Sequence, residues 1–559
     1  MLVWAFSCHA LIVPLASPDH FRRLLRISTA AIFFSLLAVG CSVQSNEVAN
    51  MPENDSGTAL DRPALPATSD GDSSGEPEQA PTPTDAPDPA EETSGQDDPG
   101  DEAEAPEPAS GESEMTTPSE GIGPDGAGDR YYPTYGNGGY DIASYDLDLD
   151  WDHDARILDA QATIEMTATQ QLNQFNLDLI GFNVSAITVD GKPAAFNREG
   201  RELIIQPATT IDLDALATVV VSYQGAPTLL DSIGAPFSTG WTDLGETIVV
   251  AGEPEGAAGW YPVNEHPIDK ATYRITVTTD AELVVAANGT QISVTDEGDQ
   301  RTWVYESADP QASYLTTLAI GDFLPHQGDP SSSGVPVRHF FHTSIFDQGV
   351  ATMERTGLMI DAFEPMFGPY PFENYGSVVV GEGLGFALET QTLSVFGSDL
   401  VDSFASREDV VAHELAHQWF GNHVSLAQWS DIWLNEGFAT YSEYLWLEAS
   451  EPDYDIDEAV RNDFDGLRFL LNSPPGAPPP TDLFNASVYL RGGFTLHALR
   501  TTIGDDNFFQ LLTTYVEEFG GANAETSDFT SLAEDISGQD LEAFFDAWLY
   551  DEAVPDLPQ

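Results

Sequence analysis

Cysteine is almost absent from this 559-residue chain: there are two, Cys8 and Cys41. That excludes a disulfide framework and a cysteine-rich zinc site. Basic residues are also scarce. Lys+Arg number 19 against 92 Asp+Glu, a formal net charge of −73, and the only lysines are Lys192 and Lys270. So few cations cannot assemble a phosphate-tracking patch, which excludes nucleic acid as a partner. Electrostatic adhesion to anionic lipid is excluded on the same ground. Such acidity favours solubility at high ionic strength and self-repulsion at low salt. What is present is a 41% hydrophobic composition, enough to bury real cores, in a length that suits two or three domains.

No apolar run is long enough to span a bilayer comfortably. The best is Ile27 to Val39, about 13 residues, preceded by Arg22, Arg23 and Arg26. This is signal-peptide anatomy. It ends Leu37-Ala38-Val39-Gly40-Cys41, which resembles a bacterial lipobox with Ala38 where the usual box has Leu. The resemblance implies an extracytoplasmic lipoprotein, at the cell surface or in the periplasm. A lipidated Cys41 would be its only membrane attachment. Residues 42–130 are dominated by Pro, Gly, Ser, Thr, Ala, Asp and Glu. Low hydrophobicity with high charge predicts a disordered acidic tether.

Residues 131–323 read as an antiparallel, β-sandwich-like domain. Tyr145, Leu147, Leu149 and Trp151 alternate with aspartates, as do Ala162, Ile164 and Met166 and then Tyr273, Ile275 and Val277 with polar neighbours. Asp190-Gly191 is a hairpin turn signal. Residues 324–559 read as α+β and mostly helical, with helices expected at 347–367, 408–424, 432–449, 490–499, 506–519 and 541–549. The apolar stretch Tyr375 to Val380 is an expected strand of a small sheet.

Within that second region stands His413-Glu414-Leu415-Ala416-His417. On a helix, positions i and i+4 share a face, so both imidazoles can reach one cation. The Glu beside the first His can take a proton from water at that cation. Chance produces the pattern in a chain this long on the order of once in a hundred, and a helical His pair also occurs without metal. Glu436, nineteen positions beyond His417 in Trp433-Leu434-Asn435-Glu436-Gly437, supplies a third ligand from the next helix.

His413 to Asn422, reading HELAHQWFGN, and Ile432 to Ala439, reading IWLNEGFA, resemble the signature of the aminopeptidase N family of gluzincin zinc metallopeptidases. The resemblance covers most of residues 131–559 and implies a β-rich domain followed by a thermolysin-like catalytic domain. It implies one Zn2+ on His413, His417 and Glu436, which activates a water with Glu414 as general base. The substrates implied are peptides with a free N-terminus. Tyr489, in Tyr489-Leu490-Arg491-Gly492, matches a tyrosine that stabilises the transition state. Glu389, in Phe386-Ala387-Leu388-Glu389-Thr390, matches a glutamate that grips the substrate amine, although the surrounding Gly, Met and Asn of the family are replaced here. Glu253 resembles a second amine-binding acid, and backbone groups around Gly385 and Ala387 are implied to pair with the substrate strand. His423 reads as structural, since three ligands are already assigned. Long family members carry a large helical C-terminal domain, and without it either a more open cleft or one covered by another subunit is expected. A zinc endopeptidase or related hydrolase on the same scaffold, and a surface binding protein that keeps the fold, are the competing readings.

Overall fold

The computed structural model describes residues 121–401 and 407–559. The expected export signal, Cys41 and the expected tether up to residue 120 lie outside the described residues. Residues 121–130, expected as the end of the tether, are packed instead. Asp129 is buried, and its carboxylate accepts backbone N–H bonds from Tyr131 (2.7 Å), Tyr132 (2.8 Å) and Trp429 (2.8 Å). Composition counts Asp129 as a solvating charge, whereas three amide donors replace its water.

The strand Tyr140–Asp152 lies inside an eight-stranded sheet, between Ile157–Ala168 and Ala271–Asp280. Its alternation puts Tyr145, Leu147, Leu149 and Trp151 on the buried face. Leu147 stands opposite Ala162 in an antiparallel pair and opposite Ile275 in a parallel one. That parallel pair is the exception in a mainly antiparallel domain. It arises because the chain builds other strands before returning, a crossover that parallel pairing requires. At Asp190-Gly191 both φ angles are positive (50° and 71°), and Val189 faces Lys192, the geometry of a tight primed turn. Sheets of five and three strands share one core with the large sheet, where Leu147, Ile164 and Val221 join Trp241, Val250, Phe175 and Leu203.

The strand Ile248–Ala251 is buried at every position. Val250 belongs to the β-domain core, while Val249 and Ala251 pack against Phe340, Val378 and Val395 of the second domain. A strand held between two cores cannot shift, and it delivers Glu253 two residues later.

The second domain has a mixed sheet in the order Phe323–Gln327, Val337–His342, Tyr375–Val379, Ser394–Phe396, Ala387–Leu388. The three central strands are parallel, and the edge strand Ala387–Leu388 runs antiparallel just before Glu389. Around it are α1 (Phe346–Met353), α2 (Thr356–Phe367), α3 (Glu408–Ala416), α4 (Trp433–Ser450), α5 (Ile456–Leu467), α6 (Ala486–Ile503), α7 (Asp505–Phe519) and α8 (Thr526–Ser537). The single helix expected over 347–367 is broken at Glu354 and Arg355, where the Arg355 guanidinium reaches Glu408 at 2.7 Å and covers the Trp446 ring. The helix expected over 408–424 ends at Ala416, and the chain turns at Gly421, whose φ is +122°. The stretch expected as helix 541–549 is helical: Glu542–Phe545 runs directly into a π-helix over Asp546–Tyr550. Helices α5 and α8 were not anticipated.

Helices α4 and α6 meet through two glycines. A Cβ on Gly437 would lie 2.9 Å from the backbone of Gly492. This close approach brings Tyr489, one turn before Gly492, beside Glu436. Gly437→Ala should therefore cost about 1–3 kcal/mol in urea unfolding as the helices part, with a fall in turnover larger than the lost folded fraction explains. An unchanged midpoint and rate would show that the contact is loose.

Candidate metal and peptide site

Helix α3 ends on the histidine pair. His413 lies in its last turn and His417 is its C-terminal cap, with ring centroids 4.8 Å apart. Both Nε2 atoms face Glu436 Oε2 on α4, at 3.2 Å from His413 and 3.5 Å from His417. Each Nδ1 has its own acceptor. That of His413 meets Glu443 Oε1 at 2.9 Å, and that of His417 meets the carbonyl of Phe420 at 3.0 Å. An Nδ1–H donated to a fixed acceptor leaves the Nε2 lone pair for a cation. The turn at Gly421 aims the Phe420 carbonyl back at His417, so the early end of α3 serves the site. The three donor atoms lie within 4.8 Å of one another, and all three residues are buried. Two imidazoles and one carboxylate are the donor set of a hydrolytic zinc centre, and the residues fit that ion.

Glu389 follows the edge strand. Its backbone carbonyl accepts from Gln418 Nε2 (3.0 Å) and Asn422 Nδ2 (2.7 Å), both from the segment that carries the histidines. Glu253 comes from the β domain. Both carboxylates are buried, and in each Oε1 has no hydrogen-bond partner among the described residues. Tyr489 lays its ring nearly parallel to that of His413, with centroids 6.1 Å apart. His413, Glu414, His417, Glu436, Tyr489, Glu389, Glu253, Gly385 and Ala387 all line one cavity of about 240 Å³.

Burial and mutual repulsion dominate the electrostatics. Burial pushes the Glu414 carboxyl up to about 8; His413 and His417 oppose the shift, while Glu389 and Glu436 add to it. Glu253 is raised well above the usual range by burial, then by Glu389, Glu436 and Glu414. Glu389 is raised by burial against the pull of His417. Burial would raise Glu436 too, but His417 and the hydrogen bond to His413 hold it at about 2. The cavity is a sink for positive charge.

Two supporting residues escaped the sequence reading. Glu443 lies seven positions after Glu436, two turns along the same face of α4, and that spacing was the available signal. Lys270, from the β domain, donates to the carbonyls of Asn422 (2.9 Å) and His423 (3.0 Å) just beyond the second histidine. It ties that turn to the other domain, and no local pattern announces it. His423 is half-buried beside this contact, away from the three ligand atoms. Burial and then Lys270 hold its imidazole down at about 4.

Comparison with known proteins agrees with this geometry. The Peptidase M1 N-terminal domain matches residues 142–315, and the Peptidase family M1 domain matches residues 351–548. A crystal structure of an M1 zinc metallopeptidase from Deinococcus radiodurans is 30% identical, with a TM-score of 0.71, over 78% of this chain and 99% of that one. This chain belongs to peptidase family M1. A mutant of the Deinococcus protein has been solved with a Tyr-Ser-Ala substrate, again at 30% identity, with a TM-score of 0.72 and the same coverage. Among curated relatives, Aminopeptidase M1-B of Oryza sativa subsp. japonica is 26% identical over 74% of this chain and 50% of its own length. The leucyl aminopeptidase of Saccharolobus solfataricus is 23% identical over 74% of this chain and 54% of its own. This M1 peptidase thus spans about half the length of those curated relatives.

If Glu443 fixes the His413 tautomer, Glu443→Gln should weaken zinc affinity by roughly 10–100-fold in a chelator competition. Unaltered affinity would reduce the contact to a packing detail.

Proposed function

We propose that this M1 peptidase is a zinc-dependent aminopeptidase that removes the first residue from peptides carrying a free α-amine. The observation that carries the reading is the sharing of Glu436 between two groups of close carboxylate and imidazole atoms. One group is His413, His417 and Glu436, and the other is Glu253, Glu389 and Glu436. A cation-binding end and a hydrolytic centre therefore lie within one residue's length of each other.

Bound by His413, His417 and Glu436, Zn2+ supplies Lewis acidity to the scissile carbonyl and lowers the pKa of the attacking water. Glu414, buried beside both imidazoles, takes the proton from that water and returns it to the departing amine. Burial, then Glu436, Glu253 and Glu389, keep the Tyr489 hydroxyl protonated well beyond neutral pH. It donates to the carbonyl oxygen as negative charge develops there. Glu253 and Glu389 take the α-ammonium, whose N–H donors satisfy the two unpartnered Oε1 atoms. They fix where the substrate begins. The edge strand Ala387–Leu388 pairs with Ser394–Phe396 on one side. Its other side, with the backbone of Gly385, suits strand addition by the peptide.

The test is a panel of chromogenic aminoacyl amides, each free and N-acetylated. The free forms should be cleaved in a chelator-sensitive way, and acetylation should lower kcat/KM by roughly 100-fold or more. Equal cleavage of both forms would favour an endopeptidase. Glu414→Gln should keep one zinc per chain by elemental analysis while kcat falls by roughly 10²–10⁴-fold. Retained turnover would remove it as the base.

Export and anchoring through a lipidated Cys41 belong to the same proposal. They are supported by the basic cluster, the short apolar run and the small residues before Cys41. Among the described residues, no helix is long and apolar enough to cross a membrane. Cys41→Ser should shift the protein from the membrane to the soluble fraction, and unchanged partitioning would exclude the lipid anchor.

A further inference from the structure

The carboxylate group at the amine end has the makings of a metal site in its own right. One oxygen each of Glu253, Glu389 and Glu436 lies within 4.8 Å of the other two. Its chemistry differs from that of the histidine site. Two imidazoles and a carboxylate suit zinc, whereas an oxygen-only anionic set suits hard cations such as Mg2+, Ca2+ and Mn2+. Glu253 and Glu389 are 6% and 2% exposed, both line the cavity, and each carries an Oε1 with no partner among the described residues.

Charge counting points the same way. Glu253, Glu389, Glu414 and Glu436 bear four negative charges when ionised. One divalent ion at the histidines balances two of them, and an α-ammonium balances one more. A second divalent ion would balance these four, while Asp409, Glu443 and Arg407, which also line the cavity, add two acids and one base, and buried charge left unbalanced is costly.

We infer that the amine pocket of this peptidase also binds a second, hard divalent cation, held by Glu253, Glu389 and Glu436 in place of the substrate ammonium. The inference rests on reading Glu253 and Glu389 as the amine-binding groups. It makes the second ion a competitor of every free N-terminus. The enzyme is then throttled by hard divalent cations when peptide is scarce and released when peptide is abundant.

The zinc-loaded full chain, titrated with Mn2+ and followed by the electron paramagnetic resonance of the free ion, tests this. One Mn2+ should bind per chain while elemental analysis still finds one zinc. L-Leucine should displace the Mn2+, and N-acetyl-L-leucine should not. Glu253→Gln should weaken Mn2+ by roughly tenfold or more without loss of zinc. The competition on the unmodified protein stands even if that variant misfolds. The inference is overturned if no Mn2+ is retained, if Mn2+ enters only as zinc leaves, or if L-leucine fails to displace it. Failure of the aminopeptidase reading registers separately, as equal cleavage of free and acetylated amides. Loss of Mn2+ binding with intact selectivity for free amines would sink only the second cation.

Discussion

Glu253, Glu389, Glu414 and Glu436 are buried in the wall of one cavity with two imidazoles among them. Two like charges about 4 Å apart repel by about 4 kcal/mol at the effective dielectric of a protein site. Such a cluster persists only if the fold imposes it and cations relieve it. The raised Glu253, Glu389 and Glu414 carboxyls and the lowered Glu436 express that tension. It gives the site its chemistry. One end offers imidazole and carboxylate ligands to a metal, and the other offers only carboxylate acceptors to a cation.

The fold imposes the cluster by anchoring each carboxylate in a different rigid element. Glu253 hangs from a strand buried between two cores. Glu389 is held through its carbonyl by Gln418 and Asn422. Glu436 sits on α4, pressed against α6 at Gly437 and Gly492. The site is therefore a property of the domain interface. Lys270 reinforces this from the β domain by donating to the two carbonyls of the turn that follows His417, while burial lowers its ammonium to about 7.

The carbonyl of Phe420 and the carboxylate of Glu443 do quieter work. Each receives an Nδ1–H and thereby turns the two Nε2 lone pairs toward one point. Gly421 makes the first of these possible, since its φ of +122° is left-handed backbone that favours glycine. A longer α3, as the hydrophobic pattern alone would give, would carry that carbonyl along the helix axis and away from the ring.

Local chemistry was readable in the chain. Period-two alternation fixed the buried faces of Tyr140–Asp152 and Ala271–Asp280, Asp190-Gly191 fixed a hairpin, and the spacing of His413, His417 and Glu436 fixed a metal-binding pattern. These signals depend on residues close in sequence or on one helix face, where geometry follows from backbone period. The parallel pairing of Leu147 with Ile275, the break at Arg355, the ordering of Asp129 by Trp429 and the reach of Lys270 to Asn422 were not readable. Each joins atoms more than fifty residues apart, and local propensity does not encode which distant donor meets which acceptor. The residue types set what the site could do. Only tertiary packing decided that acids from two domains would be forced together, because repulsion between them forbids the arrangement anywhere that the surrounding cores do not hold it.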